Sequence, residues 1–135
     1  MKLTQDSINL INLFERITKA RVKDCIIEEK KLIFIVNEED ISRAIGKNGN
    51  NVKRIINLAK KDVQVVAYND DVTKLILNLI YPNKVDNIKL DNKIVSINVS
   101  DSMTKGRIFG RDRENLKRVA NISKRYFDIE DIKVS

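Results

Sequence analysis

The sequence is poor in the residues on which most enzymatic and metal chemistry depends. Its 135 residues include no histidine, no tryptophan and a single cysteine. Without histidine, imidazole metal ligands, imidazole general bases and Ser-His or Cys-His nucleophile pairs are excluded. No acid/base pair stands out among the scattered carboxylates. We therefore expect a protein that is not an enzyme and that uses no catalytic residue, metal or other cofactor.

Long hydrophobic runs, paired cysteines and aromatic residues are scarce as well. No apolar run has the length needed to span a bilayer, and the first residues lack the hydrophobic segment of a secretory signal. Cys25 alone cannot form an intrachain disulfide, and its apolar surroundings are typical of a core position. Phe14, Phe34 and Phe127 also fall at core-like positions, so no aromatic stacking surface is apparent. These absences predict a cytoplasmic protein without a membrane contact.

Positive charge is in moderate excess, and its distribution is more informative than its amount. Lys and Arg number 26 against 19 Asp and Glu, for a formal net charge of +7. Residues 41–61 hold six basic residues and no acidic one, and residues 105–125 hold eight basic and two acidic residues. Each segment therefore has a net charge of +6, and the rest of the chain has a negative net charge. Two short basic segments indicate an anionic partner, with ordinary solvation of exposed helices as the competing explanation.

Residues 45–55, IGKNGNNVKRI, combine two glycines with a half-buried helix pattern. Gly46 is expected to end one helix in the left-handed conformation that side chains resist, and Gly49 to open the next helix. The first N–H groups of the second helix have no intrahelical partners. Together with the Lys47 side chain they would face one point, which suits a phosphate. A turn that only caps two helices is the structural alternative for the glycines by themselves.

The longer string resembles the GxxG loop of KH domains, which clamps a nucleic-acid backbone of about four nucleotides beside an apolar groove. The resemblance rests on Ile45 before the loop and on Val52 and Ile55 after it, together with a basic helical face. It implies single-stranded RNA as the ligand. The RNA-binding residues that it implies are Arg43, Ile45, Gly46, Lys47, Asn48, Gly49, Asn50, Lys53 and Arg54.

Hydrophobic periodicity predicts the order α-β-β-α-α-β for residues 1–68. Ile8, Ile11, Phe14 and Ile17 mark the apolar stripe of a helix over residues 5–18. Strands are predicted at 25–27, 32–36 and 63–67, and helices at 38–45, with Asn37 as its N-cap, and at 50–61. This order matches the type II form of the KH family, which implies three helices on one face of a three-stranded sheet.

The same order begins again in residues 69–135. Gly110 lies 64 positions after Gly46, and the same offset pairs Arg43, Asn51, Lys53, Arg54, Asn57 and Lys60 with identical residues. It also pairs residues of core type, among them Ile33 with Ile97 and Ile35 with Val99. Helices are predicted at 72–81, 101–109 and 114–126, and strands at 85–90, 94–99 and 129–134. We therefore expect an α+β protein of two tandem type II KH domains, residues 1–68 and 69–135.

The second loop departs from the GxxG pattern, because it reads GRDR and Arg113 stands where the first loop has Gly49. A side chain there would obstruct a close backbone approach, and Asp112 adds a negative charge near the phosphate. Arg111 and Arg113 would in one interpretation bind phosphate through their guanidinium groups. In the other, the acidic residues simply favour the helix N-terminus. We expect a weaker RNA site here, formed by Arg107, Gly110, Arg111, Arg113, Lys117 and Arg118.

Nearly the whole chain resembles the archaeal NusA-like family, whose members consist of two KH domains and little else. The resemblance implies a monomeric RNA-binding factor of transcription elongation, termination or antitermination, with RNA polymerase or the nascent transcript as further candidate partners. Two alternatives stay open on the sequence. One is a KH factor in ribosome assembly or RNA processing, and the other is a protein-interaction scaffold on RNA polymerase.

Overall fold

A computed structural model of the chain describes residues 5–135. These residues form two compact units, of which the first ends at Asn69 and the second comprises Asp70–Ser135. Each unit contains a three-stranded sheet together with helices. The α+β class expected from the sequence is confirmed.

The first unit has the predicted order of elements. It consists of α1 (Gln5–Thr18), β1 (Val22–Ile27), β2 (Lys31–Val36), α2 (Ile41–Ile45), α3 (Asn50–Ala59) and β3 (Asp62–Ala67). The central strand is β2, which runs antiparallel to β1 and parallel to β3. Because two parallel neighbours require a connection that crosses back along the sheet, α2 and α3 form this crossover. The turn that joins them carries the glycine loop.

Aromatic and aliphatic side chains form the core between the helices and this sheet. The rings of Phe14 on α1 and Phe34 on β2 stack with their centroids 4.2 Å apart, and both residues are fully buried. Ile55 of α3 is buried in the same cluster, and Val52 and Ile56 pack against it. Burial of one such side chain contributes about 1.5–3 kcal/mol. The helical spacing read from residues 52–59 is confirmed.

Two local predictions for this unit are right only in part. In the predicted stripe of α1, Phe14 is buried and Ile11 and Ile17 pack against the core, whereas Ile8 is 38% exposed. The predicted helix 38–45 is interrupted, because Glu38–Asp40 forms a separate 3-10 turn and Asn37 makes no side-chain cap bond. Tertiary contacts, which local periodicity does not contain, decide both outcomes.

The second unit repeats the order of the first. It consists of α4 (Val72–Ile80), β4 (Asn87–Asp91), β5 (Ile94–Asn98), α5 (Ser102–Phe109), α6 (Glu114–Tyr126) and β6 (Asp131–Val134). Here β5 is central, antiparallel to β4 and parallel to β6. The Asp71 and Asp101 carboxylates cap α4 and α5 by accepting hydrogen bonds from the N–H groups of Thr73, at 3.0 Å, and Thr104, at 3.1 Å. Strands β4 and β6 begin two residues later than predicted.

The strand register contradicts the pairing of Ile33 with Ile97 and of Ile35 with Val99. In the first unit Lys31 pairs with Asp62, the first residue of β3, and in the second unit Ile94 pairs with Asp131, the first residue of β6. Subtracting 31 from 94 gives an offset of 63 on the central strands, so Phe34 and not Ile33 is the counterpart of Ile97. A shift of one residue moves a side chain to the other face of a sheet, which runs of aliphatic residues do not reveal.

Candidate nucleic-acid interface

The first glycine loop is a tight turn in which three residues have positive φ. Gly46 ends α2 with φ 79° and ψ 169°, Asn48 has φ 56° and Gly49 has φ 71° and ψ 18°. The N–H of Gly49 donates to the Gly46 carbonyl at 3.1 Å and closes the turn. The predicted positive φ at Gly46 is therefore confirmed. Its ψ of 169° is that of extended backbone and not of the left-handed helical region.

The two glycines of this loop have different surroundings. The Asn51 side chain donates to the Arg43 carbonyl at 2.9 Å and so ties the start of α3 to the end of α2. A Cβ added to Gly46 would lie 2.9 Å from Cγ of Asn51, whereas a Cβ added to Gly49 would meet nothing within 4 Å. Gly46 is thus required by the packing of the turn. The space around Gly49 is open.

The predicted cluster of unpartnered amides is only partly present. The N–H groups of Gly49 and Asn50 donate to the carbonyls of Gly46 and Lys47. These two amides are therefore used within the loop. The Lys47 and Asn48 side chains are exposed at its tip, so the charge that the loop presents comes from Lys47.

The other predicted residues of the first site divide into exposed and engaged groups. Lys53 and Arg54 are exposed on α3, and Ile45 is 38% exposed beside the loop. Arg43 is also exposed, but its guanidinium donates to the Lys19 carbonyl at 3.2 Å and lies 3.5 Å from the buried Asp40 carboxylate. Its contacts connect α2 to the segment before β1, a structural task that the sequence did not indicate.

The second loop has the same backbone conformation despite its different residues. Gly110 has φ 71° and ψ 177°, Asp112 has φ 55° and ψ 30°, and Arg113 has φ 61° and ψ 21°. Asn115 donates to the Arg107 carbonyl at 3.1 Å, and a Cβ on Gly110 would lie 2.5 Å from the Asn115 amide nitrogen. The helix-to-helix tie and the first glycine are therefore kept in both loops. Of the two loop glycines, only the second is replaced.

Arg118 has a supporting position in this second site. It is half-buried, and its guanidinium donates to the Asn115 side-chain oxygen at 2.9 Å. The Asn115 side chain, which connects α6 to α5 through the Arg107 carbonyl, is thus also fixed by Arg118. Arg107, Arg111 and Lys117 are exposed.

A groove of about 530 Å³ opens beside the second loop, between α6 and β6. Its lining residues are Phe109, Arg113, Leu116, Lys117, Ala120, Asp131, Ile132, Lys133, Val134 and Ser135. The Arg113 guanidinium lies over the Phe109 ring, 5.3 Å from its centroid. Sequence reasoning missed Phe109, although the offset of 64 places it opposite Ile45.

The remaining chemistry of the described residues is limited. Burial raises the pKa of the Cys25 thiol to about 12, so this thiol is protonated at neutral pH. Among residues 5–135, no group of His, Cys, Asp or Glu side chains could hold a metal ion. In the same part of the chain, no helix is long and apolar enough to cross a membrane.

The chain is similar to one family model, to several named proteins and to a solved structure. Residues 11–101 match the KH domain. The chain is 33% identical over 137 residues to the probable transcription termination protein NusA of Methanocaldococcus jannaschii, covering 99% of this chain and 75% of that protein. It is 27% identical to the protein of the same name from Halococcus morrhuae, covering 98% and 97%. The crystal structure of APE1850 matches with a TM-score of 0.76 and 29% identity, covering 98% of this chain and all of that one.

Proposed function

Because this chain belongs to the KH-domain family and is an archaeal NusA-like protein, we propose that it binds single-stranded RNA during transcription elongation, termination or antitermination. The relatives that carry the name of a transcription termination protein support the process. The KH match supports RNA as the ligand. Under this proposal the protein is not an enzyme, and RNA polymerase with its nascent transcript is its setting.

We further propose that both units are KH domains of the type II form. The support is the element order α-β-β-α-α-β in each unit, with a central second strand and a parallel third strand. The two loops also share their backbone conformation and their asparagine tie. The repeated geometry favours a common origin and a related ligand for the two units.

The observation that carries the RNA proposal is the open space at Gly49. The packing of the turn does not require a glycine there, since the Cβ would meet no atom within 4 Å; only the positive φ of 71° favours one, and Arg113 has the same conformation in the second loop. A glycine kept on an exposed loop beside Lys47, Lys53 and Arg54 suits a backbone that must approach closely. RNA would lie across this loop, with its phosphates near the basic side chains.

The experiment compares single-stranded RNA with duplex of the same length by fluorescence anisotropy at matched salt. A KH groove reads unpaired bases, so the single strand should bind more tightly. Equal affinity for single-stranded and duplex RNA would mean that the protein does not bind RNA through a KH groove that reads unpaired bases.

A loop variant tests where the RNA binds. Lys47→Asp with Asn48→Asp reverses the charge at the exposed tip and leaves the core untouched, so RNA affinity should fall sharply while the melting temperature stays close to that of the wild type. The matched control is Lys84→Asp with Asn87→Asp, the same charge change at exposed residues of the second unit. If the loop variant binds like the control, the first loop does not contact RNA.

A further inference from the structure

The Arg113 side chain is kept at a backbone position that favours glycine. Its φ of 61° and ψ of 21° lie close to the 71° and 18° of Gly49. A residue with a side chain in the left-handed region costs about 1–2 kcal/mol of strain, and strained residues concentrate at functional sites. The fold does not need arginine here, because the tie between Asn115 and Arg107 holds the turn.

The guanidinium of Arg113 lies beside an aromatic ring of the groove. It lies 5.3 Å from the centroid of the Phe109 ring, and both residues line the 530 Å³ groove. This volume is within the range of roughly 300–1,000 Å³ that is typical of small-ligand sites. A planar cation over an aromatic ring offers two flat surfaces, and nucleobases stack on both aromatic rings and guanidinium planes.

The charges of the groove suit a nucleotide. Its lining includes three cationic side chains, Arg113, Lys117 and Lys133, and one carboxylate, Asp131. The Asp131 carboxylate already accepts a hydrogen bond from the N–H of Ile132 at 2.8 Å, on the strand side of the groove. The net charge of these four side chains is +2 (three cations less one carboxylate), which attracts a phosphate, while Leu116, Ala120 and Val134 supply apolar surface.

We propose that the paired Arg113 guanidinium and Phe109 ring form a stacking clamp in the second unit, on whose outer face one unpaired nucleobase lies, so that Arg113 replaces the glycine contact instead of abolishing it. This inference rests on the proposed RNA-binding function and concerns the chemistry of its second site. The first unit has Gly49 and Ile45 at the equivalent positions. The two units therefore hold RNA by different contacts, the first mainly through the backbone and the second through a base.

The experiment introduces glycine at position 113 of the second loop. Arg113→Gly recreates a GxxG loop and relieves the positive φ, so the variant should fold. If Arg113 stacks on a base, single-stranded RNA affinity falls about 5- to 100-fold, the effect expected of one lost stacking contact. Lys89→Gln, which removes one exposed charge from β4, serves as the control. If Arg113 only obstructs a degenerate loop, Arg113→Gly binds as well as the wild type or better, and the proposal is wrong.

Two further measurements separate stacking from charge. Arg113→Lys keeps the positive charge and loses the planar group, and Phe109→Ile introduces the residue found in the first unit, so both should bind more weakly than the wild type. Wild-type affinity for either variant would overturn the clamp. In addition, an RNA with abasic sites should lose affinity for the wild type but lose less for Arg113→Gly. Failure of the wild type to bind any RNA would instead reject the proposed function itself.

Discussion

At the scale of single residues, the two glycines of the first loop separate structure from function. Gly46 has positive φ and packs against Asn51, whereas Gly49 has positive φ and open space around it. Arg113 demonstrates that a side chain can occupy the second position while the turn keeps its conformation. A GxxG sequence therefore contains one glycine that the fold requires and one that it tolerates losing.

A matched pair of alanine variants tests this division. Gly46→Ala should destabilise the protein by about 1–3 kcal/mol, because a strained φ is added to a clash with Asn51. Gly49→Ala should cost less, about 1–2 kcal/mol, since only the backbone strain remains. Chemical denaturation gives both values.

RNA affinity should follow a different order. Under conditions where both variants are folded, Gly49→Ala should still bind RNA more weakly than the wild type, because its methyl group stands where the RNA backbone approaches. Wild-type affinity of Gly49→Ala in a titration would mean that no close approach occurs at this loop.

At the scale of elements, two helices of the second unit, α4 and α5, begin at aspartate caps. The pKa of Asp71 is lowered by hydrogen bonds from the Thr73 hydroxyl and N–H, and the pKa of Asp101 is lowered in the same way by Thr104. A folded-state pKa below the unfolded value adds stability at higher pH, and this contribution is lost as the pH falls through the folded pKa. Both caps are therefore present at neutral pH and lost in acid, starting below the usual pKa of 3.8.

The variants Asp71→Ala and Asp101→Ala test this dependence. Each should lower the melting temperature at pH 7, because a helix N-terminus loses its side-chain acceptor. Each should also reduce the loss of stability between pH 5 and pH 2 relative to the wild type, since one titrating cap is gone. Thermal melts followed by circular dichroism across this pH range measure both effects. An unchanged acid dependence in either variant would mean that its cap does not titrate as argued.

Edge strands show a second recurring element. Asp24, Asp62 and Asp131 each accept a hydrogen bond from the N–H of the following residue, at 2.8, 3.0 and 2.8 Å. They belong to β1, β3 and β6, which are edge strands of the two sheets. A carboxylate that occupies an edge N–H removes a donor to which another strand could pair. The motif thus removes one free donor from each of these three edge strands.

At the scale of the whole molecule, the positive charge is concentrated near the two loops. Residues 41–61 and 105–125 carry the excess, and the rest of the chain is negative. Each phosphate neutralised on a single strand contributes about 0.7 to the slope of log affinity against log salt. If both units contact the same RNA, this slope should be steeper for a long oligonucleotide than for one of about four nucleotides, the length that one KH loop holds. Equal slopes in salt titrations would indicate that only one unit binds phosphate.

The sequence alone was sufficient for features that depend on neighbouring residues. Positive φ at Gly46 and the apolar face of α3 follow from local chemistry, and the structure contains both. The likeness of the two loops was also visible, because a helix–turn–helix segment keeps its spacing when no residue is inserted. Local rules act over a few residues, and such signals remain in the linear order.

Only the tertiary structure decided which groups meet across the fold. The register of β2 and β5 depends on hydrogen bonds to strands about 30 residues away in sequence, so the aliphatic run could not distinguish Ile33 from Phe34 as the counterpart of Ile97. Arg43 is drawn to Asp40 and the Lys19 carbonyl, and Arg113 to Phe109. A long side chain settles on whichever partner packing brings within reach, and that choice is a property of the folded chain.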